Sequence, residues 1–176
     1  MLSTLHTNNA AGAIPRLIDL SVNPKILVSA LSLSIAQRLV RVLCPDCKEE
    51  KELAEAEKKT LMLAVQSMKD EGKDLATYNI NPNAPFKIFS PVGCDKCNGT
   101  GYRGRIGIFE AIKTDAEIEK IITENPSERE IKKAARAQGI LTMRQDGAVK
   151  ILNGITSIAE VQSRRGLERG IKATYC

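Results

Sequence analysis

Two closely spaced cysteine pairs constrain this chain more than any other feature of its sequence. The first pair is Cys44 and Cys47, and the second pair is Cys94 and Cys97. Thiolates separated by two residues can both turn toward one tetrahedral metal ion, and two such pairs fill its four coordination positions. The pattern therefore predicts one structural Zn²⁺ bound by four cysteines. The second pair runs directly into a glycine-rich segment, residues 98–105.

A redox role for the cysteine pairs is the alternative to a metal site. A thioredoxin-like pair opens a helix after a strand, whereas Cys44 follows a predicted helix. The sequence shows no secretory signal and no run of about 20 apolar residues, so we expect a reducing, cytoplasmic setting. That setting favours metal binding over disulfide formation, and we expect Cys176 to be a spare thiol.

Composition narrows the classes of function. The hydrophobic share of 43% and the mixed charge indicate a globular protein. The sequence has no Trp, three Phe and three Tyr, which weakens a role in binding single-stranded nucleic acid, because such binding uses aromatic stacking. The net charge of +5 suits an acidic phospholipid, a nucleotide phosphate or another protein. A surplus of surface lysine explains the charge more simply.

Hydrophobic periodicity predicts a mixture of helices and strands. The predicted elements are the end of a buried strand at residues 1–6, helices at 10–20, 25–43 and 49–71, strands at 86–89 and 105–112, and helices at 114–122, 127–138, 142–152 and 158–162. The helix over residues 25–43 depends on apolar residues that recur with a period near 3.6. Ser127 and Glu130 form a capping box, and Gly139 marks the end of the helix that they open.

Several segments together resemble the assembly ATPases of type IV pili and type II secretion (the PilB and GspE family). Residues 2–10 (LSTLHTNNA) resemble the histidine box of that family, and residues 36–47 (AQRLVRVLCPDC) resemble the segment that leads into its zinc site. Residues 94–110 (CDKCNGTGYRGRIGIFE) match the second half of the zinc site almost word for word. Residues 144–147 (RQDG), 154–157 (GITS) and 160–161 (EV) resemble the C-terminal signature. The related retraction ATPases lack the cysteine pairs, which favours the assembly or secretion branch.

The resemblance implies an α/β fold, namely the C-terminal part of a RecA-like P-loop ATPase domain with a zinc-binding insertion and a C-terminal helical subdomain. The implied parts are the end of the ATPase core at 1–43, the four-cysteine zinc subdomain with a helical insertion at 44–104, the C-terminal strand and helical subdomain at 105–162, and a divergent tail at 163–176. The resemblance also implies a homohexamer that hydrolyses ATP with Mg²⁺. This motor would drive pilus or pseudopilus assembly through an inner-membrane platform protein, at the cytoplasmic side of that membrane, and no specific nucleic acid partner is expected.

The phosphate-binding loop of such an ATPase is not found in this sequence. Phosphoryl transfer needs a phosphate cradle, a lysine and ligands for magnesium. The run Gly-x-x-x-x-Gly-Lys-Ser/Thr that supplies the cradle does not occur in the 176 residues. We therefore expect this chain to be a C-terminal fragment that does not hydrolyse ATP when alone.

His6 and Arg16 are the candidate residues for nucleotide chemistry. His6 is the only histidine, and within the histidine box it would sense the γ-phosphate or orient a catalytic group. The structural alternative is a histidine hydrogen-bonded at the end of a strand. Arg16 would stabilise phosphate charge within the hexamer. Arg38 and Arg41 are further candidate cations, although the polar side of a helix explains both.

Two functions from other classes fit part of the sequence. Cys-x-x-Cys-x-Gly-x-Gly at residues 94–101 resembles the cysteine-rich region of DnaJ chaperones, but that region repeats the motif four times and here it occurs once. A zinc-ribbon module that binds nucleic acid would suit the positive charge. Such a module leaves residues 2–10 and the C-terminal helices unexplained.

Overall fold

The computed structural model describes residues 3–82 and 85–163. Its helices and strands are α1 (Ala13–Asp19), α2 (Pro24–Ala30), β1 (Leu33–Leu43), β2 (Lys48–Lys51), α3 (Glu55–Asp70), β3 (Ile88–Pro91), β4 (Tyr102–Lys113), α4 (Ala116–Glu124), α5 (Glu128–Ala135), α6 (Met143–Leu152) and α7 (Ile158–Ser163). This mixture of helices and strands agrees with the predicted α/β class. The predicted divergent tail lies, apart from Ser163, outside the described residues.

The described residues divide into two compact units. The first unit contains residues 3–37 and 109–142, and the second contains residues 38–108 and 143–163. Strand β1 pairs with β4, and β2 pairs with β3. Over the part of the chain that the structure describes, no helix has both the length and the apolar character needed to cross a bilayer.

The first unit is built on a core of isoleucines. The buried members of this core come from the segment before α1, from α1, α2 and β4, and from α4 and α5: Ala10, Ala11, Ile14, Leu27, Ile112, Ile118, Ile122 and Ile131. Helix α4 begins at Asp115, whose side chain accepts a hydrogen bond from the Ile118 N–H group. Helix α5 begins at Ser127, whose hydroxyl accepts from the Glu130 N–H group, so the predicted start of this helix is confirmed.

The second unit joins a helical part to a small antiparallel sheet. Helix α3 packs its buried residues against α6. Lys73, just beyond α3, is buried, and its ammonium group lies 2.6 Å from Glu71 Oε2 and 2.7 Å from Gln145 Oε1 on α6. Strands β2 and β3 pair from Lys48 opposite Pro91 to Lys51 opposite Ile88. Because β2 directly follows the first cysteine pair and β3 ends just before the second, this pairing brings the two cysteine pairs together.

The helix predicted over residues 25–43 is wrong beyond Ala30, where strand β1 takes its place. The period near 3.6 was misleading because Ile35 and Leu39, which belong to it, are 60% and 47% exposed, whereas Ser34 and Val40 are buried. The β-branched residues of this segment favour a strand, and pairing with β4 satisfies its backbone groups. Tertiary packing, and not a helical period, therefore determines which residues of this segment are buried.

The other predicted elements differ mainly at their ends. Residues 3–6 form no strand, and Ser3, Thr4 and His6 are exposed, so the predicted buried strand end is wrong for these residues. Helix α3 begins at Glu55 instead of near residue 49, because Lys48–Lys51 forms β2. The remaining predicted strands and helices occur at the expected places, with shifts of a few residues.

Candidate metal centre

The four cysteine sulfurs of the two pairs gather in the second unit. The Sγ–Sγ distance is 3.9 Å between Cys44 and Cys94, 3.8 Å between Cys47 and Cys97, and 3.7 Å between Cys94 and Cys97. All four sulfurs lie within 4.8 Å of one another. A tetrahedron with zinc–sulfur bonds of about 2.3 Å has edges of about 3.8 Å. The arrangement therefore fits a four-thiolate zinc site.

The backbone around the second cysteine pair makes this gathering possible. The Cys44 N–H group donates to the carbonyl oxygen of Gly101 at 2.9 Å, which ties the first pair to the turn after the second. Gly101 has a φ of +72°, and a Cβ built there would lie 2.4 Å from Pro91 Cβ on β3. Only glycine combines that backbone conformation with so close an approach. Within the glycine-rich run after the second pair, Gly101 is therefore required by the shape of the site.

Backbone N–H groups point at two of the sulfurs. Gly93 donates to Cys47 Sγ at 3.4 Å, and both Cys94 and Gly101 donate to Cys97 Sγ at 3.2 Å. Burial raises the pKa of the Cys47 thiol to about 12. Burial also acts to raise the pKa of Cys97, but hydrogen bonds from the backbone of Cys94 and Gly101, together with contacts to the Cys94 and Cys47 side chains, outweigh it and lower the pKa to about 6. Such donors stabilise a thiolate ligand as a second layer around a metal.

The environment of the four sulfurs suits a closed, structural site. Cys44 is fully buried and Cys97 nearly so, and a set of four thiolates leaves a tetrahedral ion no open position for a substrate. An ion pair between Asp46 Oδ1 and Lys96 Nζ, 2.5 Å apart, joins the two cysteine turns on the outside. The Lys96 ammonium group lowers the pKa of the Asp46 carboxyl. A metal ion bound here would therefore stabilise the fold and would have no position open for a substrate.

Arg41 is part of a packed contact beside the metal centre. The sequence predicted that Arg41 lies on the polar side of a helix. This prediction is wrong, because Arg41 lies on strand β1. Its Nε and Nη2 atoms donate to Glu160 Oε2 at 2.9 and 2.7 Å, and its guanidinium group lies 4.1 Å from the centre of the Tyr102 ring. The Tyr102 hydroxyl in turn lies 2.7 Å from Ser157 Oγ. These contacts attach the start of α7 to β1 and β4.

Glu160 is a structural residue that sequence reasoning missed. Its side chain is 2% exposed, and Arg41 compensates its charge through both the guanidinium group and the backbone N–H group. A carboxylate within the otherwise apolar first turns of a short helix was the available signal, because such a residue needs a cationic partner when it is buried.

The structure places His6 and Arg16 in the first unit. His6 lies in the irregular segment before α1 and is exposed. Arg16 is exposed and lies in the last turn of α1. The assignment of both residues to nucleotide chemistry stays a prediction. The four cysteines, in contrast, lie together as the prediction requires.

Comparison with known proteins identifies the class to which the chain belongs. Residues 1–163 match the family model described as Type II/IV secretion system protein. The chain is a member of this family, which confirms the resemblance seen in the sequence.

Three similar relatives come from this group of proteins. The chain is 40% identical over 161 residues to Type II secretion system protein E of Pseudomonas aeruginosa, which covers 92% of this chain and 28% of that protein. It is 40% identical over 161 residues to Type IV pilus assembly ATPase TfpB of Acinetobacter baylyi, covering 92% and 25%. It is also 40% identical over 161 residues to Type II secretion system ATPase E of Vibrio cholerae, covering 92% and 28%. The chain thus spans about a quarter of the length of these curated relatives.

Proposed function

We propose that this chain forms the C-terminal part of a motor ATPase that drives type II secretion or type IV pilus assembly. The observation that carries the proposal is the four-cysteine cluster of zinc dimensions, found in a chain that belongs to the secretion family. The names of the similar relatives, two of which are called ATPases, support the same activity. A chaperone-like or nucleic-acid-binding zinc module is not favoured, because neither class accounts for the family match over residues 1–163.

In this proposal Cys44, Cys47, Cys94 and Cys97 bind one Zn²⁺ ion. The ion supplies no catalytic chemistry and only joins four points of the chain. The chain itself orients the ligands through the β2–β3 pairing, the close approach at Gly101 and the N–H donors to the sulfurs.

The larger assembly is also part of the proposal. The intact motor would contain a RecA-like ATPase core that ends in residues 1–43, the zinc subdomain at 44–104 and a helical subdomain at 105–162. It would be a cytoplasmic homohexamer at the inner membrane, acting on a platform protein of the pilus or secretion machine. These statements rest on the family resemblance.

His6 and Arg16 are the proposed contributions of this chain to ATP chemistry. His6 would sense or orient the γ-phosphate of ATP bound with Mg²⁺, and Arg16 would stabilise phosphate charge. Both residues are exposed within the first unit, so they are accessible to a ligand there. Because the sequence contains no phosphate loop, we propose that the chain alone does not turn over ATP.

A chimera tests this proposal. The region of the Pseudomonas aeruginosa relative that matches this chain is replaced by residues 1–163, and magnesium-dependent release of phosphate from ATP is measured. We expect activity in the chimera, none in the isolated chain, and loss of activity in the chimera that carries His6→Ala. An inactive but folded chimera, or full turnover after His6→Ala, would contradict the proposed function or the proposed role of His6.

A further inference from the structure

The segment that follows His6 is held by side chains from two paired strands. The Ala10 N–H group donates to Glu110 Oε1 on β4 at 2.7 Å. The Ala10 carbonyl oxygen accepts from Ser34 Oγ on β1 at 2.9 Å and from the Ala13 N–H group at 3.3 Å. Ala10 itself is 1% exposed. Buried backbone groups must be hydrogen-bonded, and this residue lies outside every helix and strand. The Glu110 side chain therefore satisfies the Ala10 N–H group, and the Ser34 side chain shares the Ala10 carbonyl oxygen with the turn into α1.

The residues beside Ala10 are fixed in the same way. The side-chain oxygen of Asn9 accepts from the Gly12 N–H group at 2.8 Å, and its amide nitrogen donates to Glu128 Oε1 at 2.8 Å. Asn9 thus closes the turn into α1 and joins it to α5. Together with the contacts of Ala10, this gives the segment a defined position on the first unit.

A short series of turns connects the fixed segment to His6. The Thr7 N–H group donates to the carbonyl oxygen of Leu5 at 3.1 Å, and the Thr7 hydroxyl donates to the carbonyl oxygen of Asn9 at 3.1 Å. Thr7 is therefore hydrogen-bonded both to Leu5, on the other side of His6, and to Asn9, which precedes Ala10. The His6 side chain is exposed, and these two bonds link the backbone beside it to Asn9.

We infer that Glu110 and Ser34 are positioning residues for His6. Glu110 has the larger effect, because a hydrogen bond from a buried N–H group to a carboxylate is stronger than one to a neutral oxygen. Ser34 bonds the next peptide group, on the other side of the Ala10 Cα atom. The inference rests on the proposed function, since it assumes that the position of His6 matters for ATP turnover, but the contacts themselves exist in the isolated chain.

The contacts are tested first in the 176-residue chain. Glu110→Leu removes the acceptor, Glu110→Gln keeps a neutral oxygen acceptor, and Glu119→Leu alters an exposed glutamate on α4 as the matched control. We expect Glu110→Leu to raise the amide hydrogen-exchange rate of Ala10 by about tenfold and to shift the NMR signals of the His6 ring. Glu110→Gln should restore most of the protection, and Glu119→Leu should change neither. Unchanged exchange and unchanged His6 signals in Glu110→Leu would overturn the inference.

The same substitutions in the chimera test the consequence for turnover. We expect Glu110→Leu to lower kcat by roughly 10- to 100-fold with little change in the KM for ATP, and Glu110→Gln to recover much of the loss. If His6→Ala abolishes turnover while Glu110→Leu leaves kcat unchanged, the positioning role is refuted and the proposed function stands. If His6→Ala leaves turnover intact, the role of His6 fails, whereas altered exchange at Ala10 would still support the contact. These two failures are therefore distinguishable.

Discussion

The metal centre and the His6 segment are both irregular stretches of backbone, but different forces hold them. At the metal centre two residues separate the ligands within each pair, and Gly101 allows the turn after the second pair to approach β3 closely. Around His6 the chain depends on single side chains, such as Glu110, that lie about 100 positions away. The metal centre thus combines locally spaced cysteine pairs with the pairing of β2 and β3, whereas the His6 segment depends on single side chains from distant parts of the chain. The two should therefore respond to different perturbations.

Removal of the metal should have the largest effect and should separate the two regions most clearly. A strong chelator removes an interaction worth several kcal/mol, because metal binding is coupled to folding in such sites. Hydrogen exchange measured by mass spectrometry should show faster exchange in β2, β3 and the cysteine turns. Segments 3–37 and 109–142 should keep their protection at the same chelator concentration. Equal loss of protection in both units would contradict the expectation that the metal stabilises the second unit and not the first.

Lys73→Met tests whether buried charge stabilises the helical part of the second unit. The Lys73 side chain is 2% exposed and compensates the charge of Glu71. Its loss should lower the free energy of unfolding by about 3 kcal/mol, since one charge of a buried pair is removed. The control is Lys69→Met, an exposed lysine of α3, which should cost less than about 0.5 kcal/mol. Urea unfolding followed by circular dichroism gives both values, and similar costs would show that burial of Lys73 is unimportant.

Two glycines near the second cysteine pair provide a matched test of local shape. Gly99 and Gly101 have the same φ of +72°, but a Cβ at Gly99 meets nothing within 4 Å, whereas one at Gly101 lies 2.4 Å from Pro91 Cβ. Gly99→Ala should cost about 1 kcal/mol for the backbone conformation alone. Gly101→Ala should cost about 2–3 kcal/mol and weaken zinc binding, because steric overlap is added. Equal zinc affinities in a competition titration with a chromogenic chelator would contradict this role of Gly101.

The smallest expected effect lies in the first unit, at the start of α4. A hydrogen bond from the Ile118 N–H group lowers the pKa of Asp115 in the folded chain. The stabilisation is therefore full above the ordinary carboxyl pKa of about 4 and is lost as the pH falls through the lower folded value. Asp115→Ala should cost about 1 kcal/mol at pH 7 and progressively less below about pH 4. Asp115→Asn keeps a capping oxygen and should cost less than Asp115→Ala, without that pH dependence. A cost of Asp115→Ala that stays constant from pH 7 to pH 3 would contradict the argument.

How far the sequence predicted each region follows from the range of the interactions. The cysteine cluster was predictable because its ligands form two local pairs, and the caps at Asp115 and Ser127 were predictable because they act within three residues. Strand β1 was not predictable in this way, because its exposed residues Ile35 and Leu39 recur with a helical period. The burial of Glu160 depends on a partner more than 100 residues away. Local patterns carry no information about such partners.

The same reason explains the His6 segment. Residues 2–10 could be compared with a known motif from the sequence alone, but the contacts of Ala10 with Ser34 and Glu110 connect three segments that are far apart in the chain. A glutamate in a strand also has a simpler explanation as a surface residue. The contact of Glu110 with Ala10 depends on the position of β4 in the fold, which the sequence alone does not give.

The metal content of the purified chain tests the central claim most directly. Mass spectrometry of the metals and X-ray absorption at the zinc edge should give one zinc per chain, with four sulfur neighbours at about 2.3 Å. Replacement of Cys44, Cys47, Cys94 and Cys97 by serine should abolish zinc binding. A chain that carries no zinc, or that retains zinc after all four replacements, would contradict the account.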